Sequence, residues 1–345
     1  MSRVTCITVT YGPAPTLSRA VEALVRHSGE VSQDIIVVTQ PDDEGHREDV
    51  SHLLDRVRHI ELNENVGFGP ANNLAVADCD TEFVAFVNPD LVVTEGWLNP
   101  LLEALGDPMV AIAAPPLLDG EGYLTEAGQA IFSDGGTEAM GGERWLGGYD
   151  SVMFDRDVDY ASAACWLMRR DTFSALGGFD ARYAPAYFED SDLAMTAWSR
   201  GLVTRLVVDR PVVHHHEGAS ASRVKLAEAS RGKFVDKWSR ELATQPSRRD
   251  VGEDSRAVRD HRAPRRIVHV FEGGTDSIRM VRAAETAAKE AADNPRDRVT
   301  LVLPRGTTVG RLRRQHRFSG LEIVDVEAVR RVDVSWATEV RTVGR

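Results

Sequence analysis

The first ninety residues alternate short β-branched runs with helical patterns, and this alternation constrains the fold more than any other feature of the chain. Residues 4–10, 34–39, 59–62 and 83–88 read as strands, while 16–27 and a second stretch before His59 read as helices. Strands separated by crossover helices predict a mainly parallel α/β sheet. The turn after the first strand, Tyr11-Gly12-Pro13-Ala14-Pro15, holds neither the glycine-rich dinucleotide fingerprint nor a lysine-bearing phosphate loop. A Rossmann dehydrogenase and a P-loop enzyme are therefore disfavoured. From 117 to 159 the pattern breaks into glycine-rich, acidic segments, read as loops and short antiparallel strands beside the sheet.

Further along, 161–168 reads as a buried strand, 171–176 as a short helix and 202–214 as strand-like. Residues 189–200 read as a longer helix whose apolar face is Leu193, Ala194, Ala197 and Trp198. A basic and aromatic helical stretch covers 223–242, and 243–264 is polar without apolar periodicity, as a linker would be. Beyond it a βαβαβ rhythm runs through 266–271, 277–292, 299–303, 309–316 and 321–324, with three clear strands. The expected division is a main domain over 1–242, a linker over 243–264 and a small or truncated α/β domain over 265–345.

The 345 residues suffice for about two domains, and 42% hydrophobic with 27% charged residues is ordinary globular composition. No apolar run approaches the ~20 residues of a membrane-spanning helix. The N-terminus shows no charged leader with apolar core and cleavage site, so the chain reads as cytoplasmic. Cys6, Cys79 and Cys165 are far apart and read as buried reduced thiols. Residues 246–345 carry 21 basic against 15 acidic side chains, leaving 20 against 38 before them. An acidic front unit makes a poor nucleic-acid partner and would repel a nucleotide diphosphate unless a divalent cation intervened. The positive tail would suit an anionic carrier or a peripheral membrane contact, although scattered surface charge is usually just solvated.

Four segments carry chemistry. Asn88-Pro89-Asp90 closes an apolar strand, where ligands of open α/β sheets bind and where an aspartate can hold a cation; it is also good turn sequence. Asn63 to Asn73 forms a loop entering a helix, whose free N–H groups favour a polar or anionic ligand. Glu189, Asp190 and Asp192 crowd three carboxylates at a helix start. One would serve as a cap, but like charges this close raise one another's pKa and can poise a general base. Gly177-Gly178-Phe179-Asp180 and residues 183–188 before them read as a flexible, aromatic-lined approach for a ring-shaped substrate. His214-His215-His216 ends a strand, so His214 and His216 share one side and His215 takes the other. A His-x-His zinc pair would need a third ligand, and a single imidazole joining Asp90 on Mn²⁺ or Mg²⁺ is the other option.

In this order the segments resemble the inverting family-2 glycosyltransferases of the GT-A fold, particularly the rhamnosyltransferase-like branch. The most telling stretch runs from Ala161-Ser162-Ala163-Ala164-Cys165-Trp166 through Gly177-Gly178-Phe179-Asp180 to Glu189-Asp190-Ser191-Asp192-Leu193, and the resemblance covers residues 1 to about 240. It implies a Rossmann-like, mainly parallel sheet with a short antiparallel part, followed by a smaller α/β C-terminal unit that it does not explain. Position by position, it makes Asp190 the catalytic base and Glu189 its partner. Asp90 matches the last aspartate of the metal motif, Asn88 stands where its first aspartate is common, and His215 matches the family's metal histidine, with His214 and His216 as alternatives. Thr10, Thr39, Gln40, Asn65, Gly67 and Asn72, with Asn88 and Asp90, would line the donor. Thr39-Gln40-Pro41 departs from the family, which usually has a base-reading aspartate after the second strand; Gln40 is the substitute.

The resemblance implies metal-assisted transfer from a nucleotide-diphosphate sugar, with Mn²⁺ or Mg²⁺, to a hydroxyl of a saccharide, lipid-linked or small-molecule acceptor. The rival readings are a catalytically silent glycan- or protein-binding module and a sugar nucleotidyltransferase or zinc hydrolase. The nucleotidyltransferase is opposed by the lack of a basic, glycine-rich loop at 11–16.

Overall fold

In the computed structural model of the chain, residues 3–27, 31–142, 149–215, 221–249, 255–273, 277–326 and 334–343 are described. The strand β1 (Arg3–Tyr11), helix α1 (Leu17–Arg26), strand β2 (Ser32–Gln40), strand β3 (Arg58–Glu61), helix α2 (Phe68–Ala77) and strand β4 (Phe83–Val87) realise the opening alternation. The expected second helix is absent: between β2 and β3 there is only a three-residue 3₁₀ turn, Ser51–Leu53. Six polar or charged residues in seven, Asp42 to Glu48, favour local turns there; Asp42 accepts the N–H groups of Glu44 and His46.

Downstream come β5 (Leu91–Val92), α3 (Leu98–Ala104), β6 (Val110–Ala114), β7 (Leu117–Leu118), β8 (Leu124–Glu126), β9 (Gln129–Ile131), β10 (Thr137–Ala139) and β11 (Arg156–Val158). They are followed by β12 (Cys165–Arg169), α4 (Arg170–Leu176), α5 (Glu189–Ser199), β13 (Val203–Leu206), β14 (Val212–His214) and α6 (Ala221–Leu242). The principal sheet has eight strands in the order β11-β13-β6-β12-β4-β1-β2-β3. The block from β4 to β3 is parallel, β13 runs parallel to β6, and β12 is antiparallel to both of its neighbours. Both faces are covered, so strand side chains alternate between two cores. Cys6, Ile35, Val37, Ala85 and Val87 enter one, and Ile7, Ile36, Val38, Val84 and Phe86 enter the other. A strand buried on both faces reads as continuous apolar sequence, as these do.

The 117–159 region holds the expected short antiparallel pairs, β7 with β8 and β9 with β10. The segment 202–214, read as one strand, is split between two sheets: β13 joins the large one, while β14 joins the small sheet β5-β14-β7-β8. Phe179 and Tyr183 do not line a substrate approach. Both are buried, and Phe179 sits among Phe68, Phe86, Phe173 and Trp166 at centroid distances of 5.0–6.0 Å. Replacing such a ring by alanine costs roughly 3–5 kcal/mol.

The C-terminal unit comprises β15 (Arg266–Phe271), α8 (Ser277–Asp293), β16 (Arg298–Pro304), α9 (Thr307–His316), β17 (Leu321–Val326) and a fourth strand, β18 (Glu339–Val343). All pairings are parallel, in the order β17-β16-β15-β18. The stretch before it is not featureless: it contains α7 (Ser255–Arg259), whose Arg259 is fully buried. Arg259 pairs with Asp260 and Glu322, Arg298 reaches Asp260 at 2.8 Å, and Arg256 and Thr300 reach Glu322 at 3.0 and 2.7 Å. The guanidiniums of Arg156, Arg259 and Arg298 lie 5.0–5.3 Å from the centre of the Phe154 ring. Burial opposes ionisation of Glu322, but Arg259 and Arg256 win and pull its carboxyl down to about 2. The three cysteines are free and buried. No helix among the described residues is long and apolar enough to cross a membrane.

Candidate active site

The carboxyl end of β4 delivers Asn88-Pro89-Asp90 as a turn, with the Asn88 N–H on Ala164 O at 2.9 Å. Beyond it β5 pairs antiparallel with β14, setting Leu91 opposite His214. The His215 N–H donates to Asp90 O at 2.9 Å, and His214 Nε2 lies 3.1 Å from Asp90 Oδ1. The imidazole brought onto Asp90 is thus that of His214. Strand alternation sends His215 elsewhere: its ring lies over Gly120, where a Cβ would come within 3.0 Å of Nδ1. His215 Nε2 is buried without a hydrogen-bond partner among the described residues. His216 lies outside the described residues.

Asp190 reaches the same edge from α5. Tyr187 and Phe188 enter that helix with φ of 75° and 70°, a left-handed path rarely taken by non-glycine residues. Phe188 is held by packing on Phe234 at 5.2 Å. Asp190 Oδ1 accepts the Ser191 N–H at 2.7 Å and its hydroxyl at 3.2 Å, and Oδ2 takes a long bond, 3.5 Å, from the Ala163 N–H. Glu189 is buried and its Oε2 has no partner among the described residues. Burial, and then the Asp190 charge, hold the Glu189 carboxyl well above the ordinary range; burial also raises Asp190. Adjacent carboxyls, one buried and one half-buried, cannot both ionise cheaply, so the proton of the pair favours the more deeply buried Glu189. Asp192 does not cap the helix. It is buried and accepts from Tyr183 (2.9 Å), Trp238 (2.7 Å) and Lys237 (2.7 Å), tying α6 to α5.

The donor-side candidates divide into two groups. Gln40 and Asn65 hold the loop: Gln40 Oε1 accepts the N–H groups of Val66 and Gly67, and Asn65 Oδ1 accepts that of Gly67 at 3.0 Å. Thr39 Oγ1 is 2.9 Å from His59 Nε2. Gly67, at φ 95°, passes so close to Pro185 that a Cβ would meet its backbone at 2.8 Å. By contrast Thr10 Oγ1 and Asn72 Oδ1 are buried with no partner among the described residues, which leaves the Thr10 hydroxyl free to donate or accept and the Asn72 oxygen free to accept, its Nδ2 being held by Phe68 O at 2.9 Å.

Sequence reasoning missed Glu126. The turn at 162–164 presents consecutive amides: the Ser162 N–H goes to Glu126 Oε1 at 2.7 Å, and the next one goes to Asp190. Gln129 Nε2 holds Glu126 Oε2 at 2.6 Å, and Tyr160 Oη donates to Gln129 Oε1 at 2.6 Å. Burial pushes Glu126 up to about 7 against the pull of these hydrogen bonds. No regular spacing links residues 126 and 190, so only the fold could reveal the pairing.

Residues 5–177 match the model of the glycosyl transferase family 2. The chain belongs to that family. This family-2 glycosyltransferase is 27% identical over 231 residues to the N-acetylglucosaminyl-diphospho-decaprenol L-rhamnosyltransferase of Mycobacterium tuberculosis, covering 61% of this chain and 75% of the relative. It is 30% identical over 154 residues to the pre-mycofactocin glycosyltransferase of the same organism, covering 44% and 30%. A crystal structure of GalNAc-T7 with UDP, GalNAc and Mn²⁺ superposes with a TM-score of 0.55 at 15% identity, over 71% of this chain and 49% of that one. The fold is GT-A, and the chain spans about half the length of that solved structure. Family-2 glycosyltransferases draw on nucleotide-sugar donors, and this one is of the rhamnosyltransferase-like kind.

The residues present fit a hard divalent cation. A carboxylate and an imidazole, Asp90 and His214, offer oxygen and nitrogen donors, while no group of three or more His, Cys, Asp or Glu suited to a metal occurs among the described residues. Two side chains are too few for a closed zinc site but suffice where ligand phosphates complete the shell.

Proposed function

We propose that this enzyme transfers a sugar from a nucleotide diphosphate to an acceptor hydroxyl with inversion, with Asp190 as general base. The observation that carries the reading is the Asp190 carboxylate, its pKa raised by burial, at the sheet edge to which β4 and β14 bring Asp90 and His214. Asp190 takes the proton from the acceptor hydroxyl. The freed oxygen attacks the anomeric carbon from the face opposite the diphosphate, and the electron pair of the breaking C–O bond leaves with the diphosphate oxygen. Glu189, kept neutral beside it, lets Asp190 remain ionised until that proton arrives. Asp90 and His214 would hold Mn²⁺ or Mg²⁺, which when bound neutralises charge on the diphosphate. Thr10 and Asn72 offer the open hydrogen-bonding capacity for the donor.

The names of the relatives support a nucleotide-activated deoxyhexose as donor and a lipid-linked saccharide as acceptor. The test measures nucleotide diphosphate release from a panel of uridine, thymidine and guanosine diphosphate sugars, with and without Mn²⁺. The expected result is Mn²⁺-dependent release with one donor class, lost in Asp190→Asn while Mn²⁺-dependent thermal stabilisation by that nucleotide diphosphate persists. Unchanged turnover in Asp190→Asn would sink the base assignment. No release from any donor would favour a silent module.

A further inference from the structure

The mechanism above leaves one buried carboxylate beside the site unused. Glu126 lies in the wall of a cleft of about 680 Å³ that also reaches His214, within the range of small-molecule sites. Leu117 and Ala139 give this cleft apolar surface, and Gln129, Ser162 and His215 give it polar groups. That mixture suits a pyranose ring, which has C–H faces and a rim of hydroxyls. The carboxylate is fixed before any ligand arrives, one oxygen by the Ser162 amide and the other by Gln129. A carboxylate oxygen has two lone-pair sites, so one donor on each leaves further accepting capacity.

Placement links the cleft to the chemistry. Because the amides of Ser162 and Ala163 are consecutive and bind Glu126 and Asp190 respectively, the two carboxylates flank a single turn. A ring seated against Glu126 therefore brings a neighbouring hydroxyl towards Asp190. His215 Nε2, buried in the same cleft and without a partner among the described residues, is a second polar group awaiting a ligand. Asp119 also lines the cleft, so its charge opposes an anionic sugar.

Resting on the reading of Asp190 as base, we propose that this cleft is the acceptor subsite for a neutral saccharide. Glu126 is its positioning residue, accepting a hydrogen bond from a hydroxyl beside the one that reacts.

The probes are octyl β-N-acetylglucosaminide and octyl β-glucuronide, with binding followed by ligand-observed NMR on the full chain at a pH above the Glu126 value of about 7, where its carboxylate carries the charge. Glu126→Gln and the shorter Glu126→Asp are compared with the native protein, and unchanged Mn²⁺-dependent binding of nucleotide diphosphate reports an intact donor site. The expected result is that both variants bind the neutral glycoside at least about tenfold more weakly, as loss of one charge-assisted hydrogen bond would cause. In Glu126→Gln the discrimination against the glucuronide also narrows, which a merely structural role would not produce. Equal affinities in all three proteins, equal discrimination in Glu126→Gln, or no saturable binding by the native protein would each overturn the proposal. Asp190→Asn separates the two readings. Retained glycoside binding with lost transfer supports both, and retained transfer removes the base assignment while the binding result still decides the subsite.

Discussion

Two clusters of buried carboxylates in this molecule have opposite chemistry. At the start of α5, Glu189 and Asp190 have each other and no cation among the described residues, and burial raises both. Where α7 meets β16 and β17, Asp260 and Glu322 are buried more deeply still, yet arginines hold both carboxyls below the ordinary range. Burial is common to both, so what differs is the neighbour. An unpaired carboxyl in a low-dielectric setting is reactive because its ionised form is costly. One clamped by Arg259 has no proton affinity to use and contributes geometry instead. The first cluster keeps the costly carboxyl that the proposed mechanism uses as its base, and the second joins the C-terminal sheet to the front unit.

The largest effect expected is on turnover. Asp190→Asn should lower transfer by about 10²–10⁴-fold, the usual contribution of a general base, with no fall in thermal midpoint. A large fall in midpoint would mean that the α5 cluster is structural like the other one. Arg259→Leu should do the reverse. It leaves Asp260 and Glu322 buried with fewer partners, at a cost of roughly 3–5 kcal/mol in denaturant unfolding, with the KM for donor unchanged in the protein that remains folded.

The two clusters should also part company with pH. Glu322 is lowered, so its stabilisation is complete above an unfolded value of about 4.3 and is lost as pH falls towards about 2. Unfolding followed from pH 5 to pH 2 should show this loss in the native protein and a shallower one in Glu322→Gln. Glu189 is raised, so its favourable contribution is complete below about 4.3 and is lost as pH rises through the raised value. Glu189→Gln should therefore gain stability over the native protein progressively from pH 5 to pH 8, and retain transfer to within about tenfold because burial favours the neutral form of the native side chain, which glutamine mimics. An advantage of Glu189→Gln over the native protein that grew as pH fell from 8 to 5 would reverse the assignment. The smallest effect separates the histidines. His214→Ala should weaken Mn²⁺ dependence more than His215→Ala, measured by the Mn²⁺ concentration for half-maximal nucleotide release.

Much of the front unit was legible because its signals are local. Alternating buried strands leave a period and a composition, and Glu189-Asp190 at a helix start is visible in the sequence. What was illegible depends on long-range pairing. That His214 rather than His215 meets Asp90 follows from which face of β14 turns towards β5, and this was undecided until the pairing of Leu91 with His214 was known. Glu126 ends a three-residue strand with no periodic signal, and its relation to Asp190 runs through amides 162 and 163. Polar composition made 243–264 look like a linker, whereas Arg259 is buried because its counter-charges come from Asp260 and from a strand sixty-three residues away. The aromatic residues at 179 and 183 looked like a substrate surface because composition cannot tell an exposed ring from a core one.

The approach of Gly67 to Pro185 has a genetic consequence. The loop leading into α2 and the segment leading into α5 touch backbone to backbone, and the Phe68 N–H donates to Pro185 O at 2.8 Å. A side chain at position 67 cannot be absorbed locally, so the displacement passes into residues 184–188 and from there to Glu189 and Asp190. Second-site suppressors of a Gly67 lesion should therefore map to that segment, more than a hundred residues downstream, rather than to the loop itself.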